Sequence, residues 1–281
     1  MTNLQEAKDI LQRHYEKQFE VAKKSEIQRD IDRVKQKYKH SYEVLEMGQE
    51  LIAGDEQLSS FSEEIQEVMN IVSILHDVAR FHEIGKGIGG APHGNYGAYD
   101  ILQAIEGIEN PLILLPIKYH DKFNFDGLKE EIEGLGLTEQ SNLIFLISKF
   151  IKDADKMANF RFFKKVKYIS HTRERELHLS NDVLEQFREN KLIDNNICKT
   201  VFDIAINFIS WQFDLNLDIS KKVLIEEKVN KYLFENFREM VEIIATEQGD
   251  VLSNAEIKKQ KDMLGQNLLE ISEILKIKGL M

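Results

Sequence analysis

Apolar residues recur at intervals of three and four through most of this chain, the spacing that lines one face of an α-helix. Ile65, Val68, Met69, Val72, Leu75 and Ala79 form the clearest stripe and predict a helix over 60–81. Ser60 with Glu63 reads as a capping box at its start, and Gly85 and Gly87 read as its stop. Asn110 followed by Pro111 predicts the start of another helix with His120 in its last turn. Leu143, Ile144, Ile147, Ile151, Ala154 and Ala158 cover most of a helical circumference, which predicts a buried, central element. Further helices are expected over 3–22 and 26–52, then over 181–190, 194–213, 219–247 and 253–278, the last opened by a second capping box, Ser253 with Glu256. Alternation at Val166 and Tyr168 and at Leu177 and Leu179 predicts a short β-ribbon near 166–180. All three prolines lie between residues 92 and 116, so the rest of the chain has no obligate helix breaker. The pattern as a whole predicts an all-α fold.

Composition narrows the class. A chain of 281 residues buries a sizeable core without staples, and its single Cys198 has no internal partner for a disulfide. With no basic and apolar leader over Met1–Leu11, the expected compartment is the cytoplasm. The longest apolar runs, Pro111–Ile117 and Leu143–Ile151, fall far short of the roughly 20 residues a membrane helix needs, so no membrane partner is expected. A formal charge of −11, from 37 basic and 48 acidic residues, argues against binding extended nucleic acid. A small anion stays compatible, because a local metal or cationic pocket overrides the global field.

The chemistry-bearing residues are an ordered set: His40 within one helix, the doublet His76-Asp77 in the next, His93 after a glycine-rich loop, His120 at a helix end, and Asp155 in the buried helix. Imidazole and carboxylate ligands without thiolates suit Mn, Fe, Co, Ni or Zn in an open, catalytic centre. Burying His76 and Asp77 in an apolar helix is costly unless each finds a partner. Other histidines read differently. His82 falls on another helix face, and His14, His171 and His178 have no evident partner in the sequence. Phe145, Phe150, Phe160, Phe162, Phe163 and the group around Trp211 read as core.

His40, the segment Ile74-Leu75-His76-Asp77-Val78-Ala79-Arg80-Phe81 and Asp155 within Asp153-Ala154-Asp155-Lys156-Met157 together resemble the HD-domain superfamily of metal-dependent phosphohydrolases, over about residues 35–160. The resemblance implies an HD-type helical bundle over 25–165, preceded by an N-terminal helix (1–24) and followed by a C-terminal helical region (166–281) packed on it. It also implies that His40, His76, Asp77 and Asp155 bind one metal ion. His93 and His120 stand where two-metal members place further ligands, with Asp77 bridging. The Gly-Tyr-Pro signature of the cyclic-di-GMP branch is absent, so that specificity does not carry over.

The expected activity is hydrolysis of a phosphoester in a small nucleotide or phosphorylated metabolite, assisted by divalent ions, with Mn, Fe, Co, Ni, Mg and Zn not distinguished. Phosphodiester, pyrophosphate and monoester substrates all remain open. Arg80, four residues after His76, is the first candidate for a phosphate clamp and, with Asp77, for the catalytic centre. Lys86, Lys118, Lys122 and Lys156 are further candidates for phosphate contact, while Glu83 and Asp121 could support the ligands or supply a proton. The competing reading is a catalytically degenerate HD module that binds a nucleotide and signals through its C-terminal helices. The last helix, with Ile257, Met263, Leu264, Leu268, Leu269, Ile271, Ile274 and Leu275, could also pair with a second copy.

Overall fold

Asn3 opens the first helix by accepting a hydrogen bond from the Glu6 amide, the local signal expected of an N-cap. The structure, a computed structural model, describes residues 2–83, 93–122, 124–165, 173–249 and 251–281. Among them the chain forms α1 (Leu4–Ser25), α2 (Gln28–Gly54), α3 (Glu56–Ser59), α4 (Glu63–Leu75), α5 (His93–Asn95), α6 (Pro111–Tyr119), α7 (Leu128–Gly134), α8 (Ser141–Lys165), α9 (Asn181–Arg188), α10 (Val201–Ser210), α11 (Asp218–Glu226), α12 (Val229–Glu247) and α13 (Asn254–Ile277). Short 3-10 segments at Val78–Glu83, Thr138–Gln140 and Trp211–Asp214 and a π-helix at Tyr96–Gln103 complete the regular structure among the described residues. The all-α expectation therefore holds for the described residues. No helix among them is long and apolar enough to cross a membrane.

Several local signals act as the sequence implies. Asn110 accepts from the Leu112 amide with Pro111 in the first turn of α6, and Ser253 and Glu256 form a reciprocal capping box on α13. Others do not. The predicted helix over 60–81 is shorter at both ends: Ser62 is the N-cap of α4 and makes no side-chain cap, whereas the Ser60 hydroxyl donates back to Gln57 at the end of α3. At the other end α4 stops at Leu75 and the chain tightens into a 3-10 segment, with the Arg80 amide bonded to the Asp77 carbonyl. The helix expected over 194–213 begins only at Val201, behind a Thr200–Asp203 capping box. That over 219–247 is broken where Lys228 takes a left-handed conformation, φ 54°. The predicted β-ribbon is not a strand over 173–180, where Glu174 makes one isolated bridge to Thr200. Its first half and Gly85, Lys86, Gly87 and His171 lie outside the described residues.

The chain divides into two compact units, residues 1–158 and 159–281. In the first, α1, α2 and α4 pack on one another, and α6 packs on α4 and on the π-helix. Leu11, Met47, Leu51, Leu58, Met69, Ile71, Phe81 and Phe150 are among its largest fully buried side chains. α4 is buried from Ile71 through Leu75 without interruption, which makes it the central element. The glycine at position 48 of α2 sets how closely its neighbours approach: a Cβ there would stand 2.7 Å from Ser73 Oγ and 3.0 Å from Phe150 Cζ. The second unit buries Phe160, Phe187, Phe202 and Phe237 and joins α10 to α9 and α12. Within it α13 buries Leu264, Leu268, Ile271 and Leu275 and exposes Met263, Leu269 and Ile277.

Candidate metal centre

All the described candidate ligands lie in the first unit, on five separate elements. His40 comes from the middle of α2, His76 caps the C-terminus of α4 and Asp77 follows it, His93 opens α5, His120 caps the C-terminus of α6, and Asp155 lies on α8. Two groups have ligand atoms within 4.8 Å of one another: His40, His76 and Asp155, and His76, Asp77 and His120.

The same local device orients two of the imidazoles. His76 Nδ1–H donates to the Ser73 carbonyl (2.8 Å) and His120 Nδ1–H donates to the Ile117 carbonyl (2.7 Å), each three residues back in the last turn of its helix. Carbonyl oxygens only accept, so Nδ1 carries the proton in both rings and Nε2 is left as the acceptor facing the centre. His76 Nε2 is fully buried and has no hydrogen-bond partner; its neighbours are Asp77 Oδ2 and Asp155 Oδ1, both at 3.7 Å. A bare nitrogen lone pair against two carboxylate oxygens is repulsive as it stands, and a cation among them resolves it. The donor set therefore fits a divalent metal ion.

Around this point the remaining ligands close in. His40 Nε2 donates to Asp155 Oδ1 (2.8 Å). Asp77 turns its two oxygens to different sides: Oδ2 lies toward His76, and Oδ1 stands 2.9 Å from His93 Nε2 and 3.6 Å from His120 Nε2. Asp121 Oδ2 lies 3.3 Å from His93 Nδ1 and accepts the Gly94 amide at 2.9 Å, so it fixes the turn that presents His93. Gly94 is required by proximity, since a Cβ there would lie 2.6 and 2.7 Å from the carbonyls of Lys118 and Ile117.

Burial alone would push the Asp77 carboxyl up, but the Lys37 ammonium and the hydrogen bond from His93 outweigh it and hold the group well below the usual carboxylate range. Asp155 is held low in the same way against burial, by the His40 hydrogen bond. Burial shifts the His93 ring toward its neutral form, the form in which imidazole binds a metal.

Lys37 is the residue that sequence reasoning missed. Its Nζ donates to Asp77 Oδ2 at 2.8 Å, and its place one helical turn before His40 was the available signal. Arg80 sits on the 3-10 segment and not on the His76 face of a continuing helix. It still reaches the centre, with Nε 3.7 Å from Asp77 Oδ1 and Nη1 donating to both oxygens of Glu83 at 3.0 Å. Glu83, buried, also accepts from Arg33 at 3.0 Å. Lys118 is bound to Glu131, which Tyr119 also donates to, so it braces α6 and does not face the centre. Lys122 offers its carbonyl to Lys152, and Lys156 is buried on α8. Asp155, not its neighbour Asp153, meets His40 and His76. His14, for which the sequence shows no evident partner, bonds to His82 at 3.0 Å.

No protein-family model matches the chain, and neither a curated protein nor a solved structure is significantly similar to it.

Proposed function

We propose that the protein is a divalent-metal-dependent phosphohydrolase of the HD type, acting on a small nucleotide or phosphorylated metabolite. The observation that carries this reading is the buried His76 Nε2, an acceptor without a donor that faces two carboxylate oxygens at 3.7 Å. His40, His76, Asp77 and Asp155 would hold one ion; His93 and His120, on the other oxygen of Asp77, would hold a second. Bound divalent ions supply Lewis acidity and bring the pKa of a water toward neutrality. The chain supplies the rest by position. The His76 and His120 rings are oriented by backbone carbonyls, His93 by Asp121, and Arg80 presents a guanidinium beside Asp77 for a phosphate oxygen. In the hydrolysis a water oxygen bonds to phosphorus, and the ester P–O bond breaks with its electron pair on the leaving oxygen, which takes up one proton.

The test is metal content per chain after purification without chelator and loading with manganese or iron, beside hydrolysis of bis(p-nitrophenyl) phosphate and p-nitrophenyl phosphate. About two ions are expected, falling to about one in a His93→Ala/His120→Ala variant. Asp77→Ala is expected to lose both metal retention and turnover. A wild-type chain that retains no metal, or an Asp77→Ala variant with unchanged hydrolysis, overturns the reading.

A further inference from the structure

Glu131, on α7, takes its hydrogen bonds from two other elements. Its Oε1 accepts from the Tyr99 hydroxyl of the π-helix and from Lys118 Nζ (2.7 Å). Its Oε2 accepts from the same ammonium (2.6 Å) and from the Tyr119 hydroxyl (2.8 Å), both on α6. Burial opposes ionisation of this carboxyl, but Lys118 and the two hydroxyls outweigh it and hold the group below its usual range. The Lys118 ammonium also stands over the Tyr99 ring, 4.8 Å from its centroid, so the π-helix and α6 meet directly at the carboxylate. α7 is itself anchored: Leu128 and Ile132 are buried in one cluster with Leu115 and Tyr119 of α6 and Ile144 of α8, the helix that carries Asp155.

The elements joined here are the ones that present His93 and His120. Tyr119 immediately precedes His120, and Tyr99 lies in the π-helix that continues the turn opened by His93. At the ligands these elements are already linked by the Gly94 amide and Asp121 (2.9 Å). A single bond of this kind leaves a hinge; a second link further along the π-helix, through Tyr99 and Glu131, removes rotation about it. The two imidazoles then meet Nε2 to Nε2 at 2.9 Å, with Asp77 Oδ1 beside both. Metal ligands have to be held to within about half an ångström, so this spacing governs binding. We infer that Glu131 is the positioning residue for the second ion: by tying Tyr99 to Lys118 and Tyr119 it sets the approach of His93 to His120. Occupancy of that ion is thereby controlled apart from the ion assigned to His40, His76 and Asp155, none of which lies on the π-helix, α6 or α7. The inference rests on the two-ion form of the hydrolase reading and adds to it where the second occupancy is regulated. Glu131 acts only through its partners, since Lys118, Tyr99 and Tyr119 already occupy both of its oxygens.

The probe is manganese itself, titrated by calorimetry into the full chain stripped of metal, with elemental analysis and paramagnetic resonance on the loaded samples. The second ion is defined as the one lost in His93→Ala/His120→Ala. In Glu131→Gln its dissociation constant is expected to rise about tenfold, the low end for residues that orient metal ligands. Tyr99→Phe removes one hydroxyl, leaves Lys118 and Tyr119 on the carboxylate, and should shift the same constant in the same direction. The double variant should be no weaker than Glu131→Gln alone, because Tyr99 acts through Glu131. The first ion should keep its wild-type affinity throughout, which a general loss of structure would not allow. The resonance signal should change from that of a coupled manganese pair to that of isolated ions at concentrations that fill both positions in the wild type. Folded variants that bind both ions as the wild type does, or that lose both ions together, overturn the role of Glu131 and leave the hydrolase reading standing; Tyr99→Phe decides by itself if Glu131→Gln loses its fold. A wild-type chain that takes up one ion or none overturns the two-ion reading, and this inference with it.

Discussion

Lys37 Nζ donates to Asp77 Oδ2 at 2.8 Å, which places an ammonium group on the carboxylate that faces both sets of candidate metal ligands. Only 5% of the Asp77 side chain is exposed, so without a cation nearby it would be a buried, uncompensated charge. In the metal-free chain Lys37 provides that compensation. With divalent ions bound, the ions share it.

Replacing Lys37 by Met should therefore destabilise the metal-free protein by about 3 kcal/mol, the low end for breaking a buried pair, because Lys37 keeps about a quarter of its surface in water. Urea denaturation in chelator and in excess manganese checks this. The gap between wild type and variant should be larger in chelator. An equal gap in both conditions would mean that Asp77 does not meet an ion.

Gly48 holds α2 close to α4 and α8, the helices that carry His76 and Asp155 toward His40. A Cβ at 2.7 Å from Ser73 Oγ and 3.0 Å from Phe150 Cζ must push one of them away. Gly48→Ala should cost about 2 kcal/mol of stability as an overpacked core position and weaken metal binding along with it. Adding Ser73→Ala removes the nearer clash, and part of both losses should return. If the double variant is no better than the single one, the spacing of these helices is set elsewhere.

How much of this was legible beforehand depends on the range of the interaction. Asn110 with Pro111 and Ser253 with Glu256 act within one helical turn, so their spacing already implied the caps that form. The end of α4 was not legible, because Val78 and Ala79 continue the apolar stripe while the backbone bonding changes from four residues to three. Periodicity records which face is buried and not how tightly the helix winds. The break at Lys228 is hidden for a similar reason: no glycine or proline marks a left-handed residue there. The ordered series of His40, His76-Asp77, His93, His120 and Asp155 did announce the residues that converge. Their orientation, through Ser73 and Ile117 carbonyls, depends on where two helices end and could not be read from residue types. Lys118 was misjudged because its partner Glu131 lies on the next helix.

Gly94 offers a second route to the His93 side of the centre. Alanine there would bring its Cβ to 2.6 Å from the Lys118 carbonyl and 2.7 Å from the Ile117 carbonyl, and backbone atoms at a helix end have little room to retreat. The turn carrying His93 should move away, breaking the amide bond to Asp121 and the approach of His93 to Asp77. Gly94→Ala is expected to reduce metal content to that of His93→Ala, while the ion held by His40, His76 and Asp155 stays. Elemental analysis of the two variants side by side decides it, and a full complement of metal in Gly94→Ala would contradict the geometry.

His14, which is not among the candidate ligands, titrates in a way that should show in stability. It is 5% exposed, donates Nε2–H to Glu106 (2.9 Å) and accepts at Nδ1 from His82 Nε2–H (3.0 Å), while Gln18 donates to the other nitrogen of His82. Burial lowers the His14 pKa below 6.5; Glu106 opposes the shift, and Lys17 and Arg13 add to it. The unfolded chain therefore takes up a proton at this position before the folded chain does. By linkage the folded state loses stability as the pH falls through about 6.5, and is unaffected at higher pH where the ring is neutral in both states. The slope for one proton is at most about 1.4 kcal/mol per pH unit. His14→Gln should remove this contribution, so the drop in unfolding free energy between pH 7.5 and 5.5 should be smaller in the variant, by at most about 1.4 kcal/mol. Urea titrations in chelator at the two pH values measure the difference directly. Parallel losses in wild type and variant would show that His14 is protonated in the folded state as readily as in the unfolded one.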